Sequence, residues 1–91
     1  MATLFTVKGA YKTIKPKNGK MFTLEELQEY VGGYIETQTS RDGQRIFVMN
    51  EDGKLMNLPI NYPATVQYRK LHGGCDFLVG DVLLLWSNEI E

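Results

Sequence analysis

Four side chains between residues 61 and 70 have the chemistry to hold a small anion. Asn61 can donate and accept hydrogen bonds, Thr65 offers a hydroxyl, and Arg69 and Lys70 can hold a phosphate or carboxylate. Together on one turn-and-helix unit they would make a ligand-binding pocket for a small phosphorylated molecule such as a nucleotide signal. The same residues also have a plainer use. Asn61 can fix an irregular turn by bonding nearby backbone, Thr65 can cap or pack, and Arg69 can stand in water. A single sequence shows nothing converging on them from elsewhere, so the plainer use is the stronger expectation.

Other reactive groups are sparse. His72 is the only histidine and Cys75 the only cysteine. They lie three residues apart with no further soft ligand, so a zinc site is not expected. As nucleophile and base the couple would need a third group to orient the histidine and a rigid seat, and Gly73 and Gly74 do not supply one. The run Asn50, Glu51, Asp52, Gly53 lacks the alternating carboxylates and terminal glutamate of a calcium loop, and no glycine-rich run opens a helix as a phosphate cradle does. The expectation is a protein with no catalytic residues, no metal and no cofactor.

Charge is distributed unevenly. The formal net charge is −1, yet residues 1–20 hold Lys8, Lys12, Lys15, Lys17 and Lys20 and no acid, leaving five bases and all eleven acids to the remainder. Such a hairpin could face phosphates or an acidic partner, or its lysines could simply keep a sheet edge from pairing. No arginine or aromatic ladder interleaves the lysines as single-strand binding favours, which ranks nucleic acid below other partners. Tyr11, Tyr30, Tyr34, Tyr62, Tyr68 and Trp86 are many large rings for a 91-residue chain. Some must reach the surface, and exposed aromatics are common anchors of protein interfaces. The candidate interface is Tyr62, Tyr68 and Tyr11 with Lys12, Lys15 and Lys17.

The elements that must position these residues fit one domain over residues 1–91. Apolar residues at 43% and charged residues at 23% are ordinary globular values. One cysteine rules out an internal disulfide, so a reducing cytoplasm is the expected location. No signal-like pattern opens the chain, and its longest apolar run, at 82–86, is too short to span a bilayer. No membrane association is expected.

The firmest element is a helix at 23–31. Thr23 is placed to cap it, Glu26 to return the bond, and Phe22 and Leu27 to staple the first turn. Leu24, Leu27 and Val31 share a face at i, i+3 and i+7, and Gly32 and Gly33 stop the helix. Before it, strands at 4–7 and 11–15 flank a break at Gly9, and Asn18-Gly19 marks a turn. After it, runs at 34–39 and 45–49 should pair as an antiparallel hairpin about the turn at 41–43. A tight turn at 50–53, with Gly53 in the left-handed position, then returns the chain into a strand at 54–57. Pro59 ends that meander, and a short second helix over 63–70 is possible, entered through Pro63 near an Asn61 or Tyr62 cap. Residues 76–79 and 82–86 supply the last strands, the second of them apolar enough for the sheet centre, and the tail at 87–91 should fray. The fold expected is α+β, a mainly antiparallel sheet of about five or six strands with the 23–31 helix packed on one face. Its core should include Leu24, Leu27, Val31, Ile35, Ile46, Val48, Leu55, Leu58, Val79, Val82 and Leu84.

The run from Thr23 through Glu36, then Asn50-Glu51-Asp52-Gly53-Lys54-Leu55, Leu58-Pro59-Ile60-Asn61 with Ala64-Thr65, and Val79-Gly80-Asp81-Val82 resembles, in this order, a small family. That family is domain-of-unknown-function family 3846, met in bacteria, bacteriophages and other mobile elements. The resemblance covers about residues 22–85 and implies an α+β fold and a phage or mobile-element origin. It transfers no catalytic residue. The functional expectation that follows is a small non-enzymatic protein that docks on a host protein and inhibits a host defence or regulatory system. A small phosphorylated ligand and nucleic acid are the alternatives, and a homodimer remains open through an uncovered sheet edge or a tyrosine patch.

Overall fold

A computed structural model describes all of residues 1–91. Its sheet has five strands, β1 (Ala2–Phe5), β2 (Tyr11–Ile14), β3 (Ile35–Thr39), β4 (Arg45–Asn50) and β5 (Val82–Trp86). They stand in the order β2-β1-β5-β4-β3, every neighbouring pair antiparallel. The fold is the expected α+β, and β5 takes the central place that its unbroken apolar run indicated, with Val82, Leu83, Leu84 and Leu85 all buried.

Helix α1 (Leu24–Val31) forms where its caps place it. Thr23 Oγ1 accepts from the Glu26 N–H at 3.2 Å, and Gly32 ends the helix in the left-handed conformation with its N–H bonded to the Gln28 carbonyl. Phe22 and Leu27 are both buried at the first turn, as a staple requires. Glu26 differs from expectation. Its carboxylate turns to the preceding loop and accepts from the Lys17 N–H at 3.0 Å, so it ties the β2–α1 connection down instead of closing the capping box.

The second helix also forms and is longer than expected. Helix α2 (Tyr62–Leu71) starts from Asn61 as its cap, with Pro63 in the first turn, where a missing N–H costs nothing. The two helices lie on opposite faces of the sheet. Alternation sends Leu4, Val48, Leu83 and Leu85 to pack with Phe22, Leu27 and Val31 of the α1 side. It sends Phe5, Phe47, Met49, Val82 and Leu84 to Ala64 and Tyr68 of α2. The α1 helix packs on one face as expected, and the second helix covers the other.

Other expectations are corrected. Residues 51–57 are a run of turns and no strand, since no neighbouring strand stands beside them, and Leu55 is 84% exposed. Gly53 does not use a left-handed backbone. It is needed because a Cβ there would stand 2.8 Å from a Val79 methyl, and the positive φ of this segment falls on Asn57. Residues 76–78 form no strand either, and Val79 makes only a single bridge to Ile60. The tail does not fray: Ser87–Glu89 form a turn of 3-10 helix, Glu89 accepts from the Trp86 N–H at 2.8 Å, and Ile90 bridges to Phe22. Within the expected core, Leu24 and Leu55 are exposed, and Ile35, Ile46 and Leu58 are half-buried.

Candidate functional site

Asn61, Thr65 and Arg69 find their hydrogen-bond partners within the protein's own chain. Asn61, Thr65 and Arg69 are spaced at i, i+4 and i+8 and share one helix face. Asn61 is fully buried. Its amide nitrogen donates to the Phe5 carbonyl at 2.9 Å and the Gly80 carbonyl at 2.8 Å, and its oxygen accepts from the Ala64 N–H at 3.1 Å. Thr65 Oγ1 donates to the Asn61 carbonyl at 2.7 Å and accepts from the Leu78 N–H at 3.0 Å. Arg69 donates to the carbonyls of Asp76 and Cys75 at 3.1 and 2.9 Å. The stripe thus clasps the backbone of residues 75–80 as a ladder clasps a strand, and the hydrogen-bonding groups of Asn61 and Thr65 are taken up by the chain itself. Lys70 lies exposed outside the stripe. The convergence missing from the sequence reading came from 75–80, and the i, i+4, i+8 spacing was the signal that could have found it.

Clasping this segment builds a cleft beside α2, over the β3 edge of the sheet. Strand β3 turns Glu36 and Gln38 to the α2 side, where Gln38 donates to Glu36 at 3.1 Å. Buried Met49, Leu78 and Tyr68 and exposed Phe77 and Leu55 supply its apolar lining. Lys54 and Asp76 close one end as an ion pair at 2.7 Å, with the ammonium 4.5 Å from the centre of the Phe77 ring. The cleft volume is about 120 Å³. Glu36, Glu51 and Asp76 place three carboxylates around it against the single ammonium of Lys54.

Electrostatics follow from these partners. The Lys54 hydrogen bond, with a second from the Phe77 N–H, holds the Asp76 carboxyl below its ordinary value of 3.8. The stability it contributes is present above that value and lost as pH falls through the lowered one. Asp42, in the β3–β4 turn, is lowered by the Ser40 hydroxyl at 2.6 Å and the Gln44 N–H. Burial first, and then the charges of Asp76 and Glu36, push the Tyr68 phenol above 10.0. A raised phenol pKa means stability complete below pH 10.0 and lost as pH rises through the raised value. In an alkaline titration followed by phenolate absorbance, Tyr68 is expected to ionise late, above pH 10.0, and together with loss of near-ultraviolet circular dichroism. A Tyr68→Phe variant is expected to lose that late step alone.

The expected interface residues divide. Tyr62 and Tyr11 are 71% and 73% exposed, but Tyr68 is only 4% exposed. It packs edge-on to Phe47 at 5.3 Å and stacks on His72 at 4.5 Å, which corrects its placement at an interface. Lys12, Lys15 and Lys17 are exposed. Lys8, Tyr11 and Lys12 line an open depression with Asp81, whereas Lys15 and Lys17 do not reach it, and Lys17 pairs with Glu29 at 3.3 Å. Cys75 is exposed and makes no hydrogen bond to His72. No group of three or more His, Cys, Asp or Glu side chains is placed to hold a metal ion, and no helix is long and apolar enough to cross a membrane.

Comparison with curated proteins and with solved structures returned no significant match. One family model, described as a domain of unknown function, DUF3846, matches residues 6–90 of the 91. That span takes in both helices, all of β2, β3, β4 and β5 and every residue of the cleft. The chain therefore belongs to the DUF3846 family.

Proposed function

We propose that this chain is a small non-enzymatic protein of phage or mobile-element origin that acts in the host cytoplasm by docking on a host protein, inhibiting a defence or regulatory system. The observation that carries the docking reading is the size and lining of the cleft. Pockets for small molecules run to roughly 300–1,000 Å³, and a volume of about 120 Å³ suits one inserted side chain. Around it stand Leu55 at 84% and Phe77 at 39% exposure, apolar groups of the kind that exclude water around a buried anchor. Three carboxylates against one ammonium favour a basic anchor, so the partner presents a lysine or arginine flanked by apolar residues.

A second reading rests on the depression lined by Lys8, Tyr11 and Lys12, which suits a phosphate-bearing partner such as nucleic acid. Binding of that kind would weaken steeply with salt and vanish on replacing Lys8 and Lys12 by alanine.

Point variants separate the two. Phe77→Ala and Glu36→Lys are expected to lower partner affinity by about tenfold or more each, because truncating an interface anchor or reversing a rim charge costs at least 1 to 2 kcal/mol. Lys12→Ala is expected to leave that affinity within about twofold. Affinity of the purified pair, measured by calorimetry, checks all three.

A further inference from the structure

The two edges of the sheet are built differently. Edge strand β2 has four residues, carries Lys12, and is flanked by Lys8, Lys15 and Pro16, the devices that stop an edge from pairing. Edge strand β3, Ile-Glu-Thr-Gln-Thr, has five residues and neither lysine nor proline, and it continues into Tyr34, which is 71% exposed.

The ladder tells which of its backbone groups are free. The Glu51 N–H bonds the Tyr34 carbonyl and the Ser40 N–H bonds the Arg45 carbonyl. With the two-residue period of an antiparallel pair, Glu36 and Gln38 therefore exchange bonds with Met49 and Phe47. The N–H and C=O groups of Ile35, Thr37 and Thr39 point away from the sheet, and no other backbone segment bonds them.

We propose that the occupant of this edge is β3 of a second copy, paired antiparallel about a two-fold axis at Thr37, so that two five-stranded sheets become one of ten. The strand is complementary to itself in that register. Thr37 meets the partner's Thr37, Ile35 meets the partner's Thr39, and all the outward N–H and C=O groups of both strands find partners. Glu36 stands opposite the partner's Gln38, an amide donor facing a carboxylate acceptor, and the contact occurs twice by symmetry. A one-residue slip would leave outward groups unpaired, and a two-residue slip in one direction would place Glu36 against the partner's Glu36, so side chains and backbone select the same register. Because Glu36 and Gln38 also line the cleft, the partner's Gln38 joins its open side, and the dimer carries two clefts on one face. This pairing rests on the edge alone and does not depend on what the cleft binds.

The test uses the full chain in sedimentation velocity over a range of concentrations. The expected result is a reversible species of twice 10.4 kDa that Thr37→Lys converts to a 10.4 kDa monomer whose thermal midpoint matches that of dilute, monomeric wild type. The lysines would face each other across the axis. In a Cys75→Ser background, Thr37→Cys is expected to form a covalent dimer on mild oxidation, since directly paired residues sit at about 5.5 Å between Cα atoms, within disulfide reach. Thr39→Cys, which faces the partner's Ile35, is expected not to. A wild-type chain that stays monomeric at every concentration overturns the proposal. So does a dimer in which Thr39→Cys cross-links as fast as Thr37→Cys. The cysteine pair remains decisive should Thr37→Lys fail to fold.

Discussion

Replacing Asn61 by alanine is expected to cost on the order of 3 to 6 kcal/mol. The side chain is fully buried and makes three hydrogen bonds, to the Phe5 and Gly80 carbonyls and from the Ala64 N–H. Alanine would leave all three backbone groups buried without a partner, at about 1 to 3 kcal/mol each. These groups belong to β1, to the turn before β5 and to the first turn of α2, so one side chain joins three parts of the fold that sequence keeps far apart. For a domain of this size the loss is a fall of roughly 15–30 °C in thermal midpoint. Asn61→Asp separates capping from cross-linking. A carboxylate can still accept from Ala64 but would set an oxygen against two carbonyls, and it should be at least as damaging as alanine. Urea denaturation measures both, and a loss under about 1 kcal/mol in either variant would show that the Asn61 bonds do not anchor α2.

Phe47→Ala is expected to cost about 3 to 5 kcal/mol, the range for emptying a buried aromatic site. Phe47 has no exposed surface and lies on β4 between the sheet and α2, where its ring meets Tyr68 edge-on. A second consequence distinguishes this site from an ordinary core position. Water admitted beside Tyr68 would relieve the burial that raises its phenol, so the late alkaline step should move toward pH 10.0. Leucine at position 47 should recover much of the stability, since it refills volume without the ring contact. An unshifted Tyr68 titration in a folded Phe47→Ala protein would mean that the phenol is raised by Asp76 and Glu36 and not by burial.

What was legible in the sequence was what is local. The α1 helix carries its own cap, staple and glycine stop within residues 22–33, and the β3–β4 hairpin has its turn inside it, so neither needs a distant partner to be recognised. The apolar run of β5 revealed its central place because both of its faces must be buried. Errors arose where the outcome depends on long-range partners. Leu55 and Met56 look like strand residues, but no strand lies beside them, and both stand exposed, Leu55 lining the cleft. Glu26 has the spacing of a capping box, yet the Lys17 N–H, brought in by the loop after β2, takes its carboxylate. The tail ends in polar residues that read as frayed, and only the bridge from Ile90 to Phe22 reveals why it is held.

The candidate site was legible in composition and misplaced in space. Asn61, Thr65 and Arg69 do act together as a recognition surface, and what they recognise is the backbone of residues 75–80. That clasp sets Asp76 and Phe77 opposite Glu36 and Gln38, residues that nothing local to β3 marks as part of a site. Tyr68 was grouped with exposed aromatics because a helix of weak periodicity does not reveal its buried face, and only its packing against Phe47 settles the point.

The central claim is that the cleft between β3, α2 and residues 76–79 is where a host protein docks, and quantitative co-purification from the natural host tests it most directly. Wild-type protein, Phe77→Ala, Glu36→Lys and Lys12→Ala are compared side by side after equal folding has been verified by thermal melts. The account predicts one host protein that is retained by wild type and Lys12→Ala and is lost from both cleft variants. Retention by both cleft variants, or loss from Lys12→Ala alone, would contradict it.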